Sequence, residues 1–597
     1  MSSSNSPLSI SAADLLARLE NSLFPVDGLS ADSRESRRTL EALPQLAKAD
    51  TSAFIDGALM LCQRLYIAGR SIDAVPVARI CHNLASIHAD AALKQRAARV
   101  YGNILTDTGD ISRAMEIYAA ALKLAEAEQD SSAIAHVWNN LAVMFTSMAA
   151  YDVAVESYWR ALNQLQQGPI DISSFYTVYL NLALCHLHMG DLEAGLDAAE
   201  NACALETPEI VCRNPAHSIF LRRNYVRLLI MAKRPNEAAP LVDEAIHLSE
   251  THPSERTTIA ALVTQAIYDV ACGEVKSGLD RLEHALARAR RLPAALRDTL
   301  MCMMQAQEAA GRPDRAAFYL SELADHVHRR AVSLARQYIE LSKHFSDEHS
   351  PGLEMIERAR HELGAKSKAF PLGPEWDVFE RITVAAQFKV DGDGLHGLHS
   401  GELARLLALE AGYDESMAED IGFAACFHDI GMATIPDMIL SKPQPLNANE
   451  RKVMQNHCRA GADMLAASTH PRALLAVDMA RYHHEWWNGE GYPQGIAGET
   501  IPRTARLCAV VDVFDAMVSQ RSYHTPLSVD AAAAQLQTLA ARQLDPQLVG
   551  LFVASLKGEH GAIRQYLSAA QPTLGPMNAF NALLARLKRG PSGKSDK

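Results

Sequence analysis

The last third of the 597-residue chain carries histidines and aspartates whose types and spacing suit metal binding. Two adjacent pairs, His428-Asp429 and His483-His484, alternate with single histidines and one further aspartate. The complete set is His396, His428, Asp429, His457, His483, His484 and Asp512. Imidazole nitrogens together with carboxylate oxygens are ligands that suit divalent iron, manganese or zinc.

Each member of this set lies beside an apolar stripe of a predicted helix, so all of these side chains can point inward. A lone inward histidine is more often a hydrogen-bonded core residue than a metal ligand. Several such groups are hard to explain in that way, because burying unpaired polar groups costs ~1–3 kcal/mol each. Adjacent residues such as His428 and Asp429 cannot both point into one helical core, but at a helix end they can serve two metals.

Predicted helices must position these ligands, and each has apolar residues at helical spacing. One helix begins at His396, another ends at His428, and a third contains Asp512. The pattern around His457 predicts a single helix that holds Met454, His457, Gly461 and Leu465.

The same region contains four motifs in a fixed order. The sequence reads HDIGMATIPDMILSKP at 428–443, HHEWWNGEGYPQGIAGETIP at 483–502, AVVDVFDAM at 509–517 and RSYH at 521–524. The pattern HHExxDGxGYP is met at His483, His484, Glu485, Gly489, Gly491, Tyr492 and Pro493. Over about 390–525 the chain thus resembles the HD-GYP family of the HD phosphohydrolase superfamily. An ordered set of motifs is far more specific than one short motif.

The resemblance implies an all-helical domain with a two-metal site, usually iron or manganese, that hydrolyses the bacterial second messenger cyclic di-GMP. It assigns one metal to His396, His428, Asp429 and Asp512, and the other to His457, His483 and His484, with Asp429 bridging both. His428 and Asp429 are then the catalytic pair. The expected reaction is in-line attack of a metal-bridging hydroxide on one phosphodiester. Linear pGpG is the expected first product, and a further step to GMP stays open.

The resemblance also implies substrate-binding residues. Gly491, Tyr492 and Pro493 are expected to form a rigid loop beside the pocket, with Tyr492 against the ligand; the alternative is a simple turn. Arg521 matches the family's phosphate-contacting arginine, and a guanidinium fits a phosphate bidentately. Arg506 is a second candidate, which a surface salt bridge explains equally well.

Four positions depart from the family pattern. The lysine after HDIG is Met432, the aspartate of DGxGYP is Asn488, and the lysine three residues after the arginine is His524. The glutamate that holds a third metal in some members is replaced by Gly392, so two metals are predicted. The predicted metal shell is therefore complete, whereas the predicted phosphate-binding shell is thinned.

Three functions stay open at this point. The first is a cyclic di-GMP phosphodiesterase regulated by a protein-interaction array. The second is a catalytically weak HD-GYP protein that acts as a cyclic di-GMP-responsive adaptor, which Met432, His524 and the large repeat array favour. The third is an HD phosphohydrolase of another nucleotide, and the intact Gly-Tyr-Pro loop argues against it.

The region before the motifs repeats itself. Gly109 is followed by Ala114, Tyr118 and Ala121, and similar residues recur after positions 149 and 190, with weaker copies near 69, 234, 273 and 311. This period is typical of stacked helical hairpins, in which small residues let two helices approach and an aromatic fills the gap. Residues 50–345 resemble tetratricopeptide (TPR) repeats. The resemblance implies an unidentified protein partner; a scaffold without a ligand is the alternative.

The expected fold class is all-α, with a TPR-like helical-hairpin solenoid followed by an all-helical HD-GYP domain. The predicted boundaries are a polar tail and capping helix at 1–48, the repeat array at 49–345, a linker at 346–375, the HD-GYP domain at 376–560 and a basic tail at 561–597. A helix over about 375–389 is predicted to lead into the second domain.

Composition limits the compartment and the partners. A formal net charge of −13 argues against binding DNA or RNA, because phosphate contacts need clustered cations. The sequence contains no secretory signal, no apolar run of membrane-spanning length and no C-x-x-C pair among its ten cysteines. We therefore expect a cytoplasmic protein that does not insert into membranes.

Overall fold

The computed structural model describes residues 51–67, 70–169, 171–342, 374–391, 396–440, 442, 444–468, 471–519, 526–558 and 561–569. Within these ranges the regular structure is helical, with one isolated bridge between Ala540 and Leu544 and no strand. The all-α prediction is therefore confirmed.

The first part of the described chain is a series of helical hairpins. Its α-helices are α1 (Thr51–Ile67), α2 (Ser71–His88), α3 (Ala91–Thr108), α4 (Ile111–Ala127), α5 (Ser131–Ser147), α6 (Tyr151–Leu165), α7 (Ile172–Met189), α8 (Leu192–Leu205), α9 (Pro208–Arg213), α10 (Pro215–Met231), α11 (Ala239–Thr251), α12 (Glu255–Ala271), α13 (Val275–Ala289), α14 (Pro293–Ala309) and α15 (Pro313–Ser342). A 3-10 helix at Pro235–Ala238 precedes α11.

The turns between paired helices share one backbone geometry. A residue with positive φ ends the first helix of each described pair, namely Gly109, Ala149, Gly190, Lys233, Gly273 and Gly311. The left-handed conformation lets the next N–H reach back to the helix, as Asp110 N does to Leu105 O at 2.8 Å. These positions confirm the predicted turns, with the one near 234 shifted by a residue; the one near Gly69 lies outside the described residues.

The repeated small and aromatic residues are core residues, as predicted. Ala114, Tyr118 and Ala121 are buried. A β-carbon placed on Gly102 in the facing helix would clash with the Tyr118 ring, so the glycine lets the aromatic seat between helices. The Tyr118 hydroxyl donates to Asn103 Oδ1 at 2.7 Å, which satisfies its polar end.

The remaining helices form the region that carries the motifs. They are α16 (Pro374–Asp391), α17 (His396–Glu410), α18 (Glu415–Ala425), α19 (Asp437–Leu440), α20 (Ala448–Gln455), α21 (His457–Leu465), α22 (Pro471–Tyr482), α23 (Arg503–Val518), α24 (Val529–Leu539), α25 (Pro546–Lys557) and α26 (Ala562–Ala569). Short 3-10 helices lie at Ile430–Thr434 and Gly498–Thr500.

Two helix predictions can be judged in this region. The helix expected over about 375–389 is confirmed as α16. The prediction of a single helix around His457 is wrong, because the helix is interrupted at Asn456, between α20 and α21. Met454 therefore belongs to the preceding helix, and His457 occupies a helix start, where its side chain can turn away from the helix core.

The chain divides into two compact units, and the division falls inside the repeats. Among the described residues, one unit comprises those up to 144 and those from 156 to 169, and the other comprises 145–155 and those from 171 onward. The later repeats thus share a unit with the motif-bearing helices. The domain boundaries stay predictions, since residues 1–50, 343–373 and 570–597 lie outside the described residues.

None of the helices that the structure describes is both long enough and apolar enough to cross a bilayer.

The turn geometry predicts an unusual stabilising substitution. Ala149 has φ 58°, a conformation that costs an alanine ~1 kcal/mol. We expect Ala149→Gly to raise the free energy of unfolding by about 0.5 kcal/mol, because the freedom of glycine in the unfolded chain offsets part of the gain. Urea unfolding of the full chain measures this change.

Gly109→Ala is the matched control for that substitution. Gly109 has φ 86°, and a β-carbon added there would meet no atom within 4 Å, so only backbone strain changes and stability should fall. A lower unfolding midpoint for Ala149→Gly would contradict the role assigned to the turn.

Candidate dinuclear metal centre

Five separate segments deliver the predicted metal ligands, and four of them do so at helix ends. His396 begins α17 and His457 begins α21, while His428-Asp429 follows α18 and His483-His484 follows α22. Asp512 lies inside α23. A helix end frees the side chain from the helix core, which allows both members of an adjacent pair to face one site.

The first group of ligands forms a compact cluster. Ligand atoms of His396, His428 and Asp429 all lie within 4.8 Å of one another. Asp512 joins them, with its Oδ1 at 3.3 Å from His396 Nε2 and at 3.8 Å from His428 Nε2. The structure thus brings together the four residues predicted for the first metal.

The second group forms a similar cluster of three imidazoles. Ligand atoms of His457, His483 and His484 also lie within 4.8 Å of one another. The Nε2 atoms of His457 and His483 are 3.3 Å apart. All three residues predicted for the second metal are therefore together.

Asp429 lies between the two clusters, with one oxygen toward each. Its Oδ2 is 3.9 Å from His396 Nε2 and 3.6 Å from His428 Nε2. Its Oδ1 is 3.4 Å from His457 Nε2 and 3.5 Å from His483 Nε2. A carboxylate placed in this way can contribute one oxygen to each of two cations.

The residues of the site fit divalent cations. Two buried ring nitrogens, His396 Nε2 and His428 Nε2, have no hydrogen-bond partner among the described residues, although buried polar atoms are normally paired. Both face the carboxylates of Asp429 and Asp512. Imidazole and carboxylate donors of this kind suit iron, manganese or zinc.

Hydrogen bonds on the far side of each ring fix which nitrogen faces the site. The Nδ1–H groups of three histidines donate to backbone carbonyls: His428 to Ala425 at 2.8 Å, His457 to Met454 at 2.7 Å and His483 to Met479 at 2.9 Å. Such outer bonds orient metal-binding histidines and select the tautomer with a free Nε2.

Asp515 is a residue of the candidate site that the sequence motifs did not identify. Its Oδ2 accepts a hydrogen bond from His396 Nδ1 at 2.6 Å, and the residue is buried. Asp515 lies one helical turn after Asp512 on α23, so both carboxylates face the same side of the helix. That spacing was visible in the sequence and could have identified it.

Local charges favour the ionised form of the Asp429 carboxylate. Burial alone would raise the pKa of Asp429, but the neighbouring histidines, His428 foremost, hold that pKa well below its usual range. Burial would lower the pKa of His396 and of His428, but the neighbouring carboxylates, Asp512 foremost at His396 and Asp429 foremost at His428, raise it. Burial together with neighbouring histidines lowers the pKa of His484 and of His457. Neutral imidazole is the form that binds a metal.

The Gly-Tyr-Pro loop lies against the second cluster. The Tyr492 ring centroid is 4.8 Å from that of His484, and Tyr492 N donates to the His484 carbonyl at 3.1 Å. A β-carbon on Gly491 would clash with the backbone of Trp486, so only glycine fits there. Pro493 is exposed and joined to Tyr492 by a cis peptide bond.

Glu485 ties this loop to the histidine pair. Its buried carboxylate accepts hydrogen bonds from Gln494 N at 2.6 Å and from Ile496 N at 3.1 Å. Two backbone donors on one side chain fix the loop beside His484, which argues against the alternative of a simple exposed turn.

Other predicted residues lie elsewhere or outside the described chain. Arg506 donates to Asp545 Oδ2 at 2.5 Å and to the Ile501 carbonyl at 3.0 Å, which matches the salt-bridge alternative rather than a substrate contact. Asn488 bonds to Glu490 at 2.8 Å. Arg521, His524 and Gly392 lie outside the described residues.

Comparisons with known families agree with this geometry. Residues 380–548 match the family model described as HD domain. Residues 75–208 match the one described as soluble NSF attachment protein, SNAP.

Curated relatives match about a quarter to a third of the chain. A cyclic di-GMP phosphodiesterase of Thermotoga maritima is 35% identical over 178 residues, which are 30% of this chain and 48% of that protein. A cyclic di-GMP phosphodiesterase response regulator of Xanthomonas campestris is 37% identical, over 29% of this chain and 46% of that protein. A 3′3′-cGAMP-specific phosphodiesterase of Vibrio cholerae is 39% identical, over 26% of this chain and 29% of that protein. The chain thus spans half the length or less of these relatives.

The hydrogen bond to His396 predicts an effect of Asp515→Asn on metal affinity. The substitution removes the charge that orients the imidazole, so we expect metal binding to weaken by about 10–100-fold. Titration with Mn²⁺ measures the affinity. Asp545→Asn is the control, because Asp545 is another buried carboxylate of this region but bonds to Arg506. Unchanged Mn²⁺ affinity in folded Asp515→Asn would rule out the orienting role.

The bridging position of Asp429 predicts how metal content responds to two substitutions. Asp429→Ala removes an oxygen from each cluster, so we expect both metals to be lost. Asp512→Ala removes a ligand from the first cluster alone, so the second metal should stay. Elemental analysis of the purified variants distinguishes these results. Full metal content in Asp429→Ala would refute the bridge.

Proposed function

We propose that this chain, which carries an HD domain of the HD-GYP type after its TPR-like repeats, is a cytoplasmic, metal-dependent phosphodiesterase. Its proposed substrate is cyclic di-GMP, and its proposed product is linear pGpG. The observation that carries the proposal is the Asp429 carboxylate, whose two oxygens face two separate groups of histidines.

The proposed metal centre consists of two divalent ions, iron or manganese. His396, His428, Asp429 and Asp512 hold one ion, and His457, His483 and His484 hold the other together with Asp429. A pair of such ions supplies an activated water and charge neutralisation at the phosphodiester.

Residues of the chain prepare the site for a phosphodiester. Backbone carbonyls hold three imidazoles in the tautomer with a free Nε2: those of His457, His483 and His428 bond to Met454, Met479 and Ala425. No proton therefore has to leave Nε2 before a cation binds. Asp515 retains the His396 Nδ1 proton by a 2.6 Å hydrogen bond. These contacts keep the ligand geometry fixed during turnover.

Tyr492 is the proposed contact for the substrate base or ribose. Its ring lies beside His484, and burial raises the pKa of its hydroxyl, so the phenol stays a neutral hydrogen-bond donor. Glu485 fixes the loop that carries it. Arg521 is the proposed phosphate contact by resemblance to the family.

The position of Met432 favours a second candidate function, that of a cyclic di-GMP-responsive adaptor. Where the family has a lysine, this side chain packs against an apolar cluster of the repeats, so it brings no cation to a substrate. A weakly active protein that binds cyclic di-GMP and signals through its array is the alternative.

Hydrolysis assays separate these candidates. We expect the Mn²⁺- or Fe²⁺-loaded full chain to convert cyclic di-GMP to pGpG, with 3′3′-cGAMP and cyclic di-AMP as comparison substrates. Absence of product at high enzyme concentration, with two bound metals verified, would reject the enzyme. Tight binding of cyclic di-GMP in that same sample would support the adaptor, and gain of activity in Met432→Lys would locate the missing cation.

The loop geometry predicts a selective effect of Tyr492→Ala. Aromatic stacking on a base is worth ~1–3 kcal/mol, so we expect KM for cyclic di-GMP to rise by about tenfold or more. Metal content should stay unchanged, because the loop supplies none of the proposed ligands. Tyr413→Ala is the control, since this tyrosine packs under Arg503, away from the site. An unchanged KM would remove Tyr492 from the substrate pocket.

A further inference from the structure

The segment that follows the bridging carboxylate lies against the repeats. Residues 430–440, here called the connecting segment, comprise the 3-10 helix Ile430–Thr434 and helix α19. Ile435 and Ile439 are each 2% exposed and belong to one apolar cluster with residues of α12, α13, α14 and α15. The segment is thus part of the core of the last repeats.

Met432 joins the same cluster. It lies three residues after Asp429 and is partly buried against the apolar side chains of the cluster. A lysine at this position would place an ammonium group against that apolar surface, which is unfavourable. The departure from the family pattern is therefore explained by contact with the repeats.

An ion-pair network reinforces the contact. The Asp437 carboxylate in α19 lies 2.7 Å from Lys389 Nζ of α16 and 3.7 Å from Arg297 Nη1 of α14. Burial would raise the pKa of Asp437, but Lys389 and Arg297 lower it. The connecting segment is consequently held by charge as well as by apolar packing.

The other side of the connecting segment contacts the second metal cluster. A β-carbon on Gly431 would clash with the His457 carbonyl and approach Gly461 N at 2.6 Å. Because the two backbones touch here, a shift of the segment displaces the start of α21. The segment thus adjoins one ligand of each metal group. Asp429 directly precedes it in the chain, and His457 contacts it through Gly431.

A second contact links the repeats to His457. The Met454 side chain packs against the same apolar cluster, and its carbonyl accepts the His457 Nδ1 hydrogen bond at 2.7 Å. Helix α15, the last of the repeats, packs against the 3-10 helix, α20 and α21. The repeats therefore touch elements that carry ligands of both clusters.

We propose that the last repeats, residues 255–342, position the metal ligands Asp429 and His457, so that a displacement of these repeats changes the metal affinity. Met432, Ile435 and Met454 are the positioning residues, because they act on the ligands and do not touch the metals. Regulation of hydrolysis by this route rests on the proposed function, whereas control of metal affinity does not.

The test uses the full chain and a substitution in the repeats. Met304 of α14 is buried in the cluster and lies two turns after Arg297 on the same helix. We expect Met304→Ala to weaken Mn²⁺ binding on the order of fivefold, because coupling between sites commonly reaches this size. Titration measures the affinity, and the electron paramagnetic resonance spectrum of the bound Mn²⁺ pair reports its geometry.

Met144→Ala is the matched control. Met144 is also buried in the repeats, on α5, but is not part of this cluster. The Met144→Ala substitution should destabilise the array through a cavity of similar size, without changing the Mn²⁺ affinity or the electron paramagnetic resonance spectrum. An equal loss of affinity in both variants would mean general destabilisation and would overturn the proposal.

A surface variant keeps the test decisive if Met304→Ala does not fold. Arg297→Ala removes the repeat side of the ion-pair network and should weaken Mn²⁺ binding in the same direction, by about twofold. Arg288→Ala is its control, since Arg288 pairs with Glu255 at 2.9 Å within the repeats. Wild-type Mn²⁺ binding in every folded variant of Met304 and Arg297 would overturn the proposal. A metal-loaded wild type that hydrolyses nothing would reject the proposed function and leave this titration valid.

Discussion

The Asp429 carboxylate is the group on which the rest of the site depends. Its oxygens lie 3.6 Å from His428 Nε2 on one side and 3.4 Å from His457 Nε2 on the other. One short side chain can face two groups of imidazoles only if several helix ends meet around it. The break at Asn456, the turn after α18 and the end of α22 all meet this requirement, since each places a candidate ligand outside a helix core.

Close backbone contacts keep that meeting point rigid. Gly431 lies against the His457 carbonyl, and Gly491 lies against the backbone of Trp486, with no room for a β-carbon at either position. Carbonyl and carboxylate acceptors hold the Nδ1 side of four of the clustered imidazoles. The proposed effect of the repeats on metal affinity depends on these contacts, because a shift of the connecting segment would have to move the His457 backbone with it.

Bound cations would explain how an anionic chain accepts the anionic substrate proposed for it. The formal net charge is −13, and the pocket itself contains the carboxylates of Asp429 and Asp512. Two divalent cations would reverse the sign locally, because bound metal ions are the largest charges in such a site.

The sequence by itself determined the helical class, the positions of the described repeat turns and the seven candidate ligands that the structure groups in two clusters. These follow from local properties: periodicity, left-handed turn residues and motif spacing. The sequence did not determine the helix break before His457, the hydrogen bond of Asp515 to His396, or the role of Met432. The hydrogen bond joins residues that are 119 positions apart, and Met432 packs against side chains of the repeats. Only tertiary packing brings such partners together, because the energy of a non-local contact is not encoded in either segment alone.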